Sequence, residues 1–400
     1  MGVELFSRAF AADPYPVYAA LRAEAPVHRV RLPSGIQAWL VTRYADARKA
    51  LADPRLSKNP RRAAPEHWRD GRVGLPGEHR SELGGHLLNI DPPDHTRLRR
   101  LVSAAFTPRR MEAFRPRVQE LTDGLLDAVE PRGRADLIGD FAFPLPIVVI
   151  CEMLGVPARD RADFHAWASG MLHQAGAPRG GVGRSVRRIR AYLSELIVRK
   201  RGELGDDLLS ALIRASDGGQ HLSGAEVASM AFILLFAGFE TTVNLIGNGL
   251  LALLRHPEQL EAVRADPDRL LPGAVEEFLR YDGPVEIATW RFTTEPVEIG
   301  GVPVPAGEPV LVVLAAADRD PAVFDRPDRL DVRRRDNPHL AFGLGIHYCL
   351  GAPLARIEGQ VAIGTVLRRF GDLALAVPAG DLRWRGGLIM RGVARLPVTF

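Results

Sequence analysis

From Asp91 onward the chain carries apolar residues at spacings of three and four, a pattern that predicts helices. Before that point the pattern is mixed. VHRVRL and IQAWLVT flank PSG, which predicts a β-hairpin, and YADARKALADP predicts a short amphipathic helix stopped by proline. Residues 63–88 are rich in Gly, Pro, Arg and His without any period, which predicts a long loop. In DPPDHTRLRRLVSAAFTP, Pro92 and Pro93 stand at a helix start, and helical spacing recurs over 111–130, 144–176, 184–201 and 206–216. The longest helix opens on Ser223-Gly-Ala-Glu226, which has capping-box form, and runs to Arg255-His256-Pro257, where proline ends it. At 1.5 Å per residue its roughly thirty residues make a rod of about 45 Å. Strand-like pieces return between 285 and 314 and again after 372. The predicted fold class is mainly α with small segregated β-sheets, an α+β arrangement. Pro and Gly are scattered, and no low-complexity tract or repeat interrupts the pattern, so residues 1–400 read as a single domain.

Composition narrows the class. At 46% hydrophobic and 25% charged, 400 residues suffice for a large buried core in an ordinary globular protein. The opening MGVELFSRAFAADPYPVY has neither a basic start with an apolar stretch nor a small-residue cleavage site, which predicts no signal peptide. Two apolar stretches, 227–239 and 241–254, are each too short to span a bilayer, and Glu240 between them would be costly in lipid. A soluble cytoplasmic protein with no membrane contact is expected. Two cysteines, Cys151 and Cys349, make neither a disulfide framework nor a four-thiolate site, and a reducing compartment fits that scarcity. Cys151, among the aliphatics of PIVVICEMLGVP, reads as a buried apolar residue. The net charge is +4, and Lys occurs only at 49, 58 and 200. The short arginine runs are isolated and lack interleaved aromatics, which argues against nucleic-acid binding and leaves a basic face for an acidic protein partner.

Four stretches carry chemistry. In AGFETT, 237–242, Ala237 and Thr241 stand four apart on one helix face, so the hydroxyl can bond the Ala237 carbonyl, loosen the ladder and leave room for a small ligand or water. Glu277 and Arg280, three apart, can pair, although an exposed pair of this kind stabilises by only about 0.3–0.5 kcal/mol. His95 and Arg99 share a helical face and Arg291 lies in the strand-like EIATWRF, donors able to converge on a dianion. In FGLGIHYCLG, 342–351, Gly343 and Gly345 permit positive φ and Gly351 allows close approach after the thiol, while LGAPLARIEGQVAIGTVLRRF continues as a helix ending before Gly371. Cys349 thus sits at a helix N-terminus, where the dipole and free N–H groups favour thiolate. Such a sulfur can be a nucleophile with His347 as base, or a metal ligand whose remaining ligands a cofactor supplies, as haem does above a single proximal thiolate.

FGLGIHYCLGAPLA resembles the haem-binding signature of the cytochrome P-450 superfamily, with Cys349 on the position of the axial thiolate that binds the metal. AGFETT resembles that family's distal oxygen-activating segment, and Glu277 with Arg280 resembles its Glu-x-x-Arg pair, in the same order and separation. The likeness covers essentially the whole chain. It implies a cytochrome P-450 fold with the long central helix over haem b, and a haem-thiolate monooxygenase that hydroxylates or epoxidises a hydrophobic small molecule with O2. By the same resemblance His95, Arg99, Arg291 and His347 bind the haem propionates, while Phe342, Gly343 and Ala237 complete the cofactor contacts. Thr241 and Glu240 take the catalytic role of proton delivery, and Glu277 with Arg280 a structural one. Electrons are implied to come from a small ferredoxin and an NAD(P)H-dependent reductase, docking near Arg99, Arg100, Arg109 and Arg110. Candidate substrate-binding positions are Leu87, Leu88, Met171, Leu172, Ile233, Gly238, Val285, Ile287, Ala288 and Ile389, with Ala237 beside them. The chain most resembles soluble bacterial members that act on polyketide macrolides and related secondary metabolites. One departure is Asp318 in AAADRDP, where relatives usually carry Asn. A thiolate-haem sensor without turnover, and a cysteine hydrolase without haem, are the rival readings.

Overall fold

The computed structural model describes Leu5 and residues 7–62, 84–104, 106–172, 181–215, 222–385 and 387–400. Most of the loop expected over 63–88 lies outside the described residues. The expected hairpin forms: β1 (Val27–Arg31) pairs antiparallel with β2 (Gln37–Val41), in the register Val27 opposite Val41. Three later strands, β3 (Leu56–Ser57), β4 (Arg291–Thr293) and β5 (Pro309–Val312), complete a five-stranded sheet in the order β1-β2-β5-β4-β3. Trp39 on β2 stands beside Val310 on β5 in a parallel pair, so an N-terminal hairpin and a segment some 270 residues later share one sheet. The other sheets are small and separate, Arg134–Asp136 with Pro397–Thr399 and Ala374–Leu375, and Val297–Ile299 with Val302–Val304.

Helices make up most of the remainder, as the apolar spacing predicts. The stretch 144–176 differs: it is two helices, Pro144–Met153 and Arg161–Leu172, because Gly155 adopts φ +67 and Pro157 follows. The long helix, Gly224–Arg255, has 32 residues and opens on a complete capping box: Ser223 N donates to Glu226 Oε2 (2.7 Å) and Glu226 N to Ser223 Oγ (3.1 Å). It runs through the main core, packed against the helices Pro144–Met153, Pro267–Asp282 and Ala352–Arg369. Gly238 lets Ile150 approach so closely that an added Cβ would lie 3.1 Å from Ile150 Cγ1. By length and composition this helix could cross a membrane, yet 67% of its most apolar window is buried inside the protein, which makes it a core helix. Cys151 is buried among aliphatics, and burial pushes its thiol up to about 12, so it is inert as expected.

Candidate active site

The turn before the helix Ala352–Arg369 is closed by Cys349 N donating to Phe342 O (2.9 Å), and Gly343 and Gly345 both take φ +72, a conformation that disfavours any side chain. The backbone N–H groups of Gly351 and Ala352 donate to the Cys349 thiol, as a helix N-terminus allows. Nothing lies within 4 Å of where a Gly351 Cβ would be, so this glycine serves through its N–H and not through close packing. The expectation that the turn alone keeps the sulfur ionised needs correction: burial outweighs those donors and the nearby Arg99 and Arg356, and the thiol's pKa is raised. A cation bound at the sulfur would supply the missing stabilisation. Arg356, which the sequence did not single out, holds the turn from outside. It donates to Glu276 through Nε (2.7 Å) and Nη2 (2.8 Å) and lies over the Phe342 ring, 4.6 Å from its centroid. Burial works against the Glu276 carboxylate, but the bonds from Arg356 and His339 hold it down to about 2.

A second cluster gathers bases from distant segments. The rings of His95 and His347 lie 4.3 Å apart between centroids. His95 is 1% exposed and, among the described residues, neither of its ring nitrogens nor His347 Nδ1 has a hydrogen-bond partner. Arg291 is buried with a single bond, from Nη1 to the Thr289 carbonyl (3.3 Å), and burial lowers it to about 10. Lys58, missed in the sequence although it is one of only three lysines, is buried beside them, its Nζ donating to the carbonyls of Thr289 (2.9 Å) and Trp290 (2.7 Å). Burial, then Lys58, His95 and Arg291 together, pushes His347 down to about 2. Arg99 links this cluster to the thiol turn, since it lowers His95 while its Nη2 donates to the Tyr348 carbonyl (2.7 Å). Buried imidazole nitrogens without partners, among cations whose nearby acid is Asp91, call for an anionic group in this place. The two carboxylates of haem fit that demand, and one thiol at the other end of the constellation fits its iron.

The long helix supplies the remaining groups. Thr241 Oγ1 donates to the Ala237 carbonyl (2.8 Å), as its spacing predicts, and Thr242 Oγ1 to that of Gly238 (3.3 Å). Ala237 is exposed in mid-helix, so this face borders open space. Burial raises Glu240 to about 7, opposed by the charge of Arg385. Leu87, Ile233, Ile287 and Ala288 are buried, and Leu88, Val285 and Ile389 half-buried. Val285 bridges to Met390, and the Ile389 carbonyl accepts from Glu286 N (2.8 Å), which ties these two candidate segments together. Met171 and Leu172 end the helix Arg161–Leu172, but their side chains lie outside the described residues. A cleft of about 550 Å³ between Phe114, Arg117 and Arg214 shares no residue with this constellation except Arg110 of the expected docking face.

Comparison with known proteins agrees with this arrangement. The family model for Cytochrome P-450 matches residues 180–373. The chain is 53% identical to the cytochrome P-450 monooxygenase PikC of Streptomyces venezuelae, over 98% of this chain and 92% of that one. It is 48% identical to 6-deoxyerythronolide B hydroxylase of Saccharopolyspora erythraea, over 99% and 98%. A myxobacterial cytochrome P-450 solved in complex with myristic acid superposes with a TM-score of 0.93 at 45% identity, covering 100% of this chain and 99% of that one. With fold, thiol turn and basic cluster in agreement, the chain belongs to the cytochrome P-450 family: it is a haem-thiolate monooxygenase whose cofactor is haem b.

Proposed function

We propose that this enzyme hydroxylates or epoxidises a polyketide macrolide or a related hydrophobic secondary metabolite. Residues 1–400 form one haem domain in this reading, fed with electrons by a separate ferredoxin and its NAD(P)H-dependent reductase. The observation that carries the substrate class is 48% identity, over 99% of the chain, to a hydroxylase named for 6-deoxyerythronolide B. The mainly apolar set Leu87, Leu88, Met171, Leu172, Ile233, Gly238, Val285, Ile287, Ala288 and Ile389 suits such a substrate.

Haem, when bound, supplies the redox chemistry that activates O2 and delivers one oxygen atom to the substrate. Cys349 Sγ would hold the iron, and the N–H groups of Gly351 and Ala352 would temper the charge on the sulfur. His95 and His347 would fill their open hydrogen bonds on the haem carboxylates, with Arg99 and Arg291 beside them as permanent cations. Phe342 and Gly343, in the thiol turn, and Ala237, exposed on the long helix, would contact the cofactor. Thr241 Oγ1 holds a proton on the Ala237 carbonyl and can turn to hand it inward. Glu240, titrating at about 7, can give up and regain a proton near neutral pH, which suits general acid–base work. Glu277 and Arg280 hold the fold and do not touch the chemistry.

The test is a titration of the ferric holoenzyme with macrolactones, steroids and terpenoids, followed by turnover with ferredoxin and reductase. A macrolactone is expected to shift the haem spectrum toward high spin and to yield a product heavier by one oxygen atom. A shift produced by steroids or terpenoids alone overturns the substrate assignment, and turnover sustained only by a flavin donor overturns the ferredoxin.

A further inference from the structure

The long helix carries a polar line that starts at Glu240 and continues beyond the haem constellation. Glu240, Asn244 and Asn248 follow at four-residue spacing and share one face. That face meets the C-terminal segment 383–394, where Trp384 bridges to Val393 and Arg385 N donates to Gly392 O (2.9 Å). Asn248 is anchored there, its Nδ2 donating to the carbonyls of Asp282 (2.9 Å) and Arg391 (3.1 Å). Asn244, one turn toward Glu240, is not: it is 1% exposed, and neither Oδ1 nor Nδ2 has a partner. Gly392 makes the room for it, since a Cβ at that position would stand 2.2 Å from Asn244 Oδ1.

Arg385 completes the group. Its Nη1 is buried without a partner, and the charges acting on it are Glu240 and Asp136. Asp136 is already engaged, accepting from Ile138 N (3.2 Å), Leu396 N (2.8 Å) and Arg395 Nε (2.9 Å). From the other direction, Glu240 is half-buried, and Arg385 is the charge that acts on its carboxyl. Open donors and acceptors at Asn244 and Arg385, beside a half-buried acid, offer an ordered water the two to four polar partners it needs to persist in an interior.

We propose that Arg385 is the positioning residue of Glu240, holding its carboxylate through water bound between Arg385 and Asn244 beside Gly392. This deepens the proton-handling role proposed for Glu240 and rests on it. Glu240 gives a proton inward and takes one back through that water from bulk solvent, so charge and protons balance in each cycle. Burial favours the neutral acid and the guanidinium favours the anion, so the midpoint of Glu240 reports the contact directly.

The experiment is infrared titration of the holoenzyme labelled with carboxyl-13C glutamate, with Glu240→Gln identifying the band. In Arg385→Gln the Glu240 midpoint is expected to rise by about one pH unit or more, and Arg385→Lys is expected to restore most of the shift. Asn244→Leu, which removes the partners of the water, is expected to raise it as well. An unchanged midpoint in Arg385→Gln, with the reduced CO spectrum intact, overturns the proposal, and an unchanged midpoint in Asn244→Leu overturns its water link. Failure of the underlying role looks different: Glu240→Gln would leave peroxide release during NAD(P)H oxidation unaltered, whatever the titration of Arg385→Gln shows.

Discussion

Asp318 shows how much one atom can matter at the scale of a residue. It stands where the family resemblance leads one to expect Asn, and it is buried with Oδ1 accepting from Leu340 N (2.6 Å). Burial raises its carboxyl to about 7, against the pull of His339, that hydrogen bond and Arg280. An ordinary Asp titrates near 3.9 in the unfolded chain, so the folded protein binds the proton more tightly. The stability this contributes is complete below about pH 4 and is lost as pH rises through about 7, in total on the order of 4 kcal/mol. Asp318→Asn keeps the acceptor and removes the charge. Its melting temperature should exceed that of the parent protein by several degrees at pH 8, by less at pH 5, and converge with it only below about pH 4. Equal melting curves at pH 8 would contradict the buried-carboxyl account.

Among the elements, the helix Pro267–Asp282 shows why a local pattern can understate a contact. Glu277 and Arg280 pair through Nε–Oε2 (2.7 Å) and Nη2–Oε1 (2.8 Å), and both side chains are fully buried. Arg280 also donates to the carbonyls of Asp318 (3.1 Å), Pro327 (2.7 Å) and Arg329 (3.0 Å), while Glu277 accepts from Asp331 N (2.9 Å) and Arg334 Nε (3.0 Å). Arg334 belongs to an arginine run that reads as surface charge, yet its side chain is mostly buried. The pair therefore ties the helix to the 318–334 segment. Breaking it leaves an uncompensated buried charge, so Arg280→Ala should cost about 3–5 kcal/mol by thermal or denaturant unfolding. A loss below about 1 kcal/mol, the value for an exposed pair, would refute that role.

For the molecule as a whole, the question is where electrons enter. Ile346, 51% exposed, and Tyr348 project from the thiol turn, and Arg100 and Arg109 are exposed on neighbouring segments. An apolar tip among arginines beside the thiolate suits an acidic ferredoxin. Electrostatic steering of this kind weakens with salt, since the Debye length falls from about 10 Å at 0.1 M to about 3 Å at 1 M. Raising the salt over that range should slow ferredoxin-driven reduction by about tenfold or more, and Arg109→Glu should reproduce part of the loss at low salt. A reduction rate indifferent to both would place the electron donor elsewhere.

Local chemistry was legible in the chain before its fold was known. The hairpin, the capping box, the glycines at positive φ, the bond from Thr241 to Ala237 and the thiol at a helix start all follow from residues a few positions apart. What the chain could not display is burial, because burial is set by segments hundreds of positions away. Glu277 and Arg280 look like an exposed pair until 318–334 folds over them. Cys349 looks ionised until the desolvation of its partly enclosed turn outweighs the nearby donors, and Lys58 looks like a surface lysine until β3 and β4 enclose it. The same holds for Arg385 and Asn244, ordinary polar residues until a C-terminal segment lies along the long helix and leaves their hydrogen bonds open. Backbone geometry is short-ranged and can be read from neighbours in sequence, whereas desolvation belongs to the packed interior as a whole.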